Sequence, residues 1–185
     1  MENKHWREFY KENKAPERNS NFSEAVESFF VNDKHCRNLN IFDLGAGNGR
    51  DTEWLNECYP FTAKGFDKNN TALCVEKKSL NNVIKEFDCP DVVYSRFFLH
   101  SISNENIIKM IKWTKYWFVA EFRIIGDKPK LYTDHKRNLI DLGWLVNKLV
   151  KEGFDIESLQ AGKGLAKYKN EDPLVARVYA RRFKK

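Results

Sequence analysis

Ile41-Phe42-Asp43-Leu44-Gly45-Ala46-Gly47-Asn48-Gly49-Arg50-Asp51 is the stretch that decides the fold of this 185-residue chain. The apolar run from Leu39 to Leu44 reads as a buried strand. The glycines after it permit a tight turn, close approach of main chain to a ligand, and amide groups aimed at acceptors. Trp54, Leu55 and Cys58 then share one helical face. A strand, a glycine turn and a helix in that order begin an open α/β sheet. The spacing is Gly45-x-Gly47-x-Gly49, whereas a dinucleotide fingerprint needs Gly-x-Gly-x-x-Gly, so a nicotinamide dehydrogenase fits poorly. Taken alone, the turn is also compatible with no ligand at all.

Downstream, a second strand is expected at about 61–66, ending at Asp67. Ala72, Leu73, Val75 and Leu80 are read as a helix, and 82–87 as a third strand followed by Asp88. A fourth strand, 91–95, runs on into Arg96-Phe97-Phe98-Leu99-His100. Ser103 or Asn104 caps a helix bearing Ile107, Ile108 and Ile111, and 116–122 is a fifth strand. A long apolar helical face from Leu139 to Val150 stops at Gly153. Two last strands, 154–159 and 174–180, flank a loop too short for a crossover helix and so pair antiparallel. The whole predicts a three-layer, doubly wound α/β sandwich with a seven-stranded, mostly parallel sheet.

Upstream, Phe22, Val26, Phe29 and Phe30 make a helical stripe, capped by Ser20 or Ser23 and separated by Pro16 from an earlier helix. One domain is expected: residues 1–38 as a helical cap or lid, 39–185 as the α/β core. The 42% hydrophobic and 31% charged composition is globular. The net charge of +6 points to acidic partners, but acids and bases are interspersed except in the tail Arg181-Arg182-Phe183-Lys184-Lys185. The N-terminus carries no apolar signal region, and no stretch has the roughly 18 apolar residues of a membrane span, so a cytoplasmic protein without membrane insertion is expected. Cys36, Cys58, Cys74 and Cys89 form no CxxC pair, and no metal site is expected.

Three acids then follow three expected strands: Asp43 on the first, Asp67 after the second, Asp88 after the third. A carboxylate at the end of the second strand suits the two hydroxyls of a ribose, and open α/β sheets bind ligands along that edge. With these residues in view, the segment 41–51 resembles motif I of class I S-adenosylmethionine (SAM)-dependent methyltransferases, and Gly65-Phe66-Asp67 resembles their acidic second-strand motif. The resemblance covers nearly the whole chain. It implies the Rossmann-like methyltransferase fold with a C-terminal antiparallel hairpin, SAM as cofactor and S-adenosylhomocysteine (SAH) as product. It places Asp43, Gly45 and Gly47 around the methionine part, Asp67 on the ribose, and Asp88 with Cys89 beside the adenine; Asn48, Lys68, Arg96 and Tyr10 are further expected cofactor contacts. Segments such as His5-Trp6, Tyr94 to His100, Thr133-Asp134-His135 and Gly164-Leu165-Ala166 are similar to small methyltransferases found with surface-polysaccharide (capsule) genes. That narrower likeness implies a small-molecule or glycan-precursor acceptor.

Methyl transfer from a sulfonium is an in-line displacement, and an alcohol acceptor gains from a base. His100 and His135 are the candidate bases. Arg96 and Arg123, after neighbouring strands, suit a phosphate or carboxylate on a phosphorylated or nucleotide-linked acceptor, and Tyr168 borders its pocket. Plainer roles stay open: His100 as a structural histidine, Asp134 as the cap of the long helix, Arg96 and Arg123 in ion pairs with Glu121 or Asp134, Tyr10 and Trp6 as packing residues rather than a lid. Two other functions also stay open, a nucleic-acid (RNA) methyltransferase and a non-catalytic SAM-binding partner subunit. No Asn/Asp-Pro-Pro-Phe/Tyr motif for gripping an extruded base is present.

Overall fold

Ser20 has extended main chain and its side chain accepts the N–H of Ser23, which starts helix α1, Asn21–Val31. The aromatic stripe of α1 packs on the sheet: Phe22, Val26 and Phe30 are fully buried. In the computed structural model, which describes residues 16–32, 36–58, 60–69, 72–127 and 138–183, the remaining elements are β1 Asn40–Leu44, α2 Arg50–Glu57, β2 Thr62–Asp67, β3 Val75–Lys77, α3 Leu80–Glu86, β4 Val92–Arg96, α4 Asn104–Trp113, β5 Trp117–Arg123, α5 Leu142–Lys151, β6 Phe154–Gly162 and β7 Val175–Arg182. A short 3-10 turn, Leu99–Ser101, lies between β4 and α4.

The sheet has seven strands in the order β3-β2-β1-β4-β5-β7-β6. The first five are parallel, and β7 enters antiparallel between β5 and β6. Alternation of side chains splits the core in two. Phe42, Leu44, Val93, Phe118 and Phe122 pack with α3, α4 and α5 on one face. Ile41, Val92, Tyr94, Trp117, Val119 and Tyr179 pack with α1 and α2 on the other. The three-layer doubly wound architecture expected from the sequence is therefore present. Chain order reverses between β1 and β4, the switch point at which such sheets hold ligands.

Three local expectations fail. Residues 75–77 are a strand, not part of a helix, and Leu73 lies fully exposed. The segment 82–87, expected as a strand, belongs to α3: Ser79 caps it by accepting the N–H of Asn82, and only Leu80 and Val83 are buried. The i, i+3 spacing of those two residues is helical, and tertiary packing overrode the strand reading. The long C-terminal helix begins at Asp141, whose side chain accepts the N–H of Trp144, so Asp134, outside the described residues, is not its cap. Ile140 instead bridges Ile124 beside the end of β5.

Candidate functional site

The carboxyl ends of β1, β2, β4 and β5 open into a cleft of about 1280 Å³. That is larger than a typical single-ligand pocket of up to roughly 1,000 Å³. Its floor is the glycine loop. Gly45, Gly47 and Gly49 all have left-handed backbone, with φ of 80°, 61° and 81°. Gly45 is forced to be glycine twice over, because a Cβ there would lie 2.5 Å from the Phe98 ring. Gly49 is the N-cap of α2, and a Cβ would strike Cys74 and Val75 at 2.6 and 2.8 Å. The loop's amides thus reach the cleft without intervening side chains, and the positive end of α2 rises behind them.

Asp67 ends β2 and is 9% exposed. Its Oδ2 accepts the N–H of Gly47 at 3.1 Å and its Oδ1 the N–H of Asn69 at 2.7 Å. Asp43 is buried on β1 and accepts the Thr52 hydroxyl at 2.7 Å. Burial, reinforced by the nearby Asp51 carboxylate, pushes its pKa up to about 8. Asp51, the second residue of α2, accepts the N–H and hydroxyl of Ser20 and the Tyr94 hydroxyl, each at 2.7 Å. Burial beside that acid drives the Tyr94 pKa well above its ordinary value, so Tyr94 remains a donor.

Residues 16–21 cross the loop as a strap. Asn48 Nδ2 donates to the Pro16 carbonyl at 2.9 Å, Arg50 Nη1 to the Arg18 carbonyl at 2.6 Å, and Ser20 to Asp51 as above. Pro16, Asn19, Ser20 and Asn21 form a wall of the cleft.

The far side is charged. Arg96 Nε donates to Glu121 Oε1 at 2.9 Å, and Arg177 Nε to Glu121 Oε2 at 2.7 Å. The three side chains occupy one register row across β4, β5 and β7. Burial pulls the Arg96 pKa down, but the carboxylates of Glu121 and Asp51 more than restore it, so the guanidinium stays charged. Arg123 donates Nη1 to Asp127 at 2.9 Å and Nη2 to Glu171 at 3.1 Å. Between the two arginines stands Phe97, itself left-handed at φ 55°, with the Arg96 and Arg123 guanidiniums 4.7 and 5.8 Å from its ring centre.

Of the residues expected from the sequence, Asp43, Gly45, Gly47, Asn48, Asp67, Lys68, Arg96, Arg123 and Tyr168 all line this cleft. Asp88 and Cys89 do not. They precede β4 and so lie exposed at the opposite edge of the sheet. The segment after the third strand that does enter the cleft is Lys78-Ser79-Leu80-Asn81, and the mistaken strand assignment hid it. His100 is 2% exposed, packed by its ring 5.8 Å from that of Phe97, and lies outside the residues lining the cleft. A histidine at the end of an expected strand carries no mark of which way its ring turns, and the 3-10 turn takes it inward. The ion-pair reading of Arg96 with Glu121 is met; Arg123 pairs with Asp127 and Glu171. His135 and Tyr10 lie outside the described residues. The loop 168–173, expected to border the acceptor pocket, does so through Tyr168, Lys169, Glu171 and Pro173. Asp51 was missed as a site residue although it stands two residues after the last glycine of the motif, and within the expected cap at 1–38 the contacts of residues 16–21 with the glycine loop carried no signal in the sequence.

No family model matches the sequence, and no curated protein matches it. Solved structures do. A SAM-dependent methyltransferase from Archaeoglobus fulgidus is 17% identical, with 86% of this chain and 94% of that one covered at a TM-score of 0.61. Magnesium protoporphyrin IX methyltransferase from Synechocystis, with bound SAM, is 14% identical over 87% and 78% of the two chains, at 0.60. The [4+2]-cyclase SpnF is 12% identical over 91% and 84%, at 0.64. At these identities the likeness is one of fold. The chain has the Rossmann-like fold of class I SAM-dependent methyltransferases, with its parallel core and antiparallel C-terminal strands.

Proposed function

We propose that this chain is a SAM-dependent methyltransferase acting on a small-molecule or glycan-related acceptor, phosphorylated or nucleotide-linked. The observation that carries the reading is Asp67: a carboxylate at the end of β2, oriented by two main-chain N–H groups, facing the glycine loop in a cleft with room for a second ligand. These residues fit the cofactor. Asp67 would hold the ribose, with Lys68 beside it. Lys78 to Asn81 would border the adenine in place of Asp88 and Cys89. Gly45, Gly47, Asn48 and Asp43 would surround the methionine part. The bound cofactor supplies an electrophilic methyl on a sulfonium. The chain's part is to align the acceptor, through Arg96, Arg123 and Tyr168, and to exclude water with the strap at 16–21. One domain does both, in the cytoplasm; the capsule association belongs to this proposal alone.

Calorimetry with SAH tests the reading. The wild-type chain binds SAH, and Asp67→Ala loses about 100-fold in affinity, the equivalent of about 3 kcal/mol for hydrogen bonds to a charged group. Unchanged SAH affinity in that variant would remove the ribose assignment. Because a [4+2]-cyclase shares the fold, the fold alone does not require methyl transfer, and the second reading is a SAM-binding protein that transfers no methyl. Transfer of labelled methyl from SAM to a nucleotide-linked sugar or an RNA pool separates it from the first and sorts glycan from nucleic-acid acceptors.

A further inference from the structure

The row Arg96–Glu121–Arg177 holds more positive charge than it neutralises. Glu121 is fully buried and gives one oxygen to each arginine. Arg177 directs Nη2 to Asn21 Oδ1 at 2.9 Å and to the Leu165 carbonyl at 2.7 Å. Arg96 is held only through Nε: its two terminal nitrogens make no hydrogen bond among the described residues, and the side chain lines the cleft.

The neighbouring acids do not remove the surplus. Asp51 sits 3.8 Å from Arg50, so that pair adds one charge of each sign, leaving three guanidiniums against two carboxylates. Asp43, whose pKa stands at about 8, is mostly protonated at neutral pH. Across Phe97, among the described residues, Arg123 faces two carboxylates, Asp127 and Glu171, through both of its terminal nitrogens. The Arg96 side chain is only 17% exposed, and Glu121 and Asp51 keep it charged, but its two terminal nitrogens are donors without an acceptor among the described residues, which an oxyanion would supply. The fork is also aimed. Phe97 N–H donates to the Glu121 carbonyl at 2.8 Å, and the Arg96 guanidinium lies over the Phe97 ring. Glu121 on Nε and the ring beside the guanidinium restrict the side chain, and its two remaining nitrogens suit two parallel hydrogen bonds to an oxyanion.

We infer that Arg96 is the group that recognises an anionic oxygen substituent, phosphate or carboxylate, on the methyl acceptor, while Arg123, its terminal nitrogens already given to Asp127 and Glu171, lines the acceptor pocket without binding that anion. The inference rests on the methyltransferase reading and deepens it. The cofactor's own carboxylate is the rival source of the same chemistry, and the experiment separates the two. The full chain is titrated with inorganic phosphate by calorimetry, with and without saturating SAH. The SAH-loaded wild type binds phosphate saturably, with a dissociation constant on the order of 1 mM. Arg96→Gln weakens phosphate binding by about tenfold or more, Arg96→Lys, which keeps the charge but loses the two-pronged fork, weakens it by about threefold, and SAH affinity moves less than about twofold in either.

Three results overturn the inference: no saturable phosphate binding by the SAH-loaded wild type, equal phosphate binding by Arg96→Gln, or an SAH affinity that falls about tenfold in Arg96→Gln while phosphate is excluded by SAH. The last would give Arg96 to the cofactor's carboxylate. If Arg96→Gln fails to fold, the wild-type titration and Arg96→Lys still decide. Failure of the chain to bind SAH at all would strike the methyltransferase reading instead, and the phosphate titration without SAH reads the Arg96 site separately.

Discussion

At the end of β2 the cleft presents Asp67; at the end of β4 it presents Arg96. Asp67 is held by the main-chain N–H groups of Gly47 and Asn69, one in the glycine loop and one two residues along the chain. Arg96 is held by Glu121, which is held in turn by Arg177, and these side chains meet only because β4, β5 and β7 pair in one register. The first end is built from main chain and is satisfied whether or not a ligand is bound. The second is built from three side chains and leaves terminal nitrogens of a guanidinium without a partner among the described residues. The difference teaches where each kind of ligand belongs: neutral hydroxyls against an oriented carboxylate, an anion against a guanidinium with unused donors.

Removing Glu121 breaks the β4 end most severely. Glu121→Ala leaves Arg96 and Arg177 buried and facing each other, and should cost about 3–5 kcal/mol of stability, read from urea unfolding. A loss below about 1 kcal/mol would mean that water already screens the row. At the other end, Gly45→Ala forces a Cβ into left-handed backbone and into Phe98, a cost of about 2–3 kcal/mol with loss of SAH binding. Normal stability in that variant would show that the loop and Phe98 yield easily.

Asp43 sharpens the contrast by its pH dependence. In the folded chain it keeps its proton up to about pH 8, whereas unfolded it releases it near 3.8. Between those values the native state binds more protons, so this group's contribution to stability falls as pH rises, by up to about 1.4 kcal/mol per unit, and levels off above about pH 8. Asp43→Asn should cancel that slope when urea midpoints at about pH 6 and pH 8 are compared with those of the wild type. Parallel slopes in the two proteins would place the ionised form of Asp43 in the native state.

Much of this molecule was legible in its sequence for identifiable reasons. β1 and the glycine turn were found because an apolar run, three glycines and a following amphipathic helix are contiguous. The helices at α1, α4 and α5 were found by spacing, with Ser20 and Ser103 named among their caps. β3 was lost because three residues are too few to show alternation. That single miss led the sequence reading to Asp88 and Cys89, at the opposite edge of the sheet, when the segment after the third strand that lines the cleft is Lys78–Asn81. His100 was misplaced because the 3-10 turn, not the strand, sets its direction.

The sequence by itself determined the α/β class, the loop that approaches a ligand, and the acid that faces it, since each depends on residues close together in the chain. Only the tertiary structure decided that, among the described residues, Arg96 shares one carboxylate with a second arginine while Arg123, in a like position, faces two. Glu121 and Arg177 reach Arg96 across two strand pairings, while Asp127 and Glu171 reach Arg123 from a turn and a distant loop. Charge neutralisation acts through space, and the partners that set it are fixed by strand register and loop docking rather than by order along the chain.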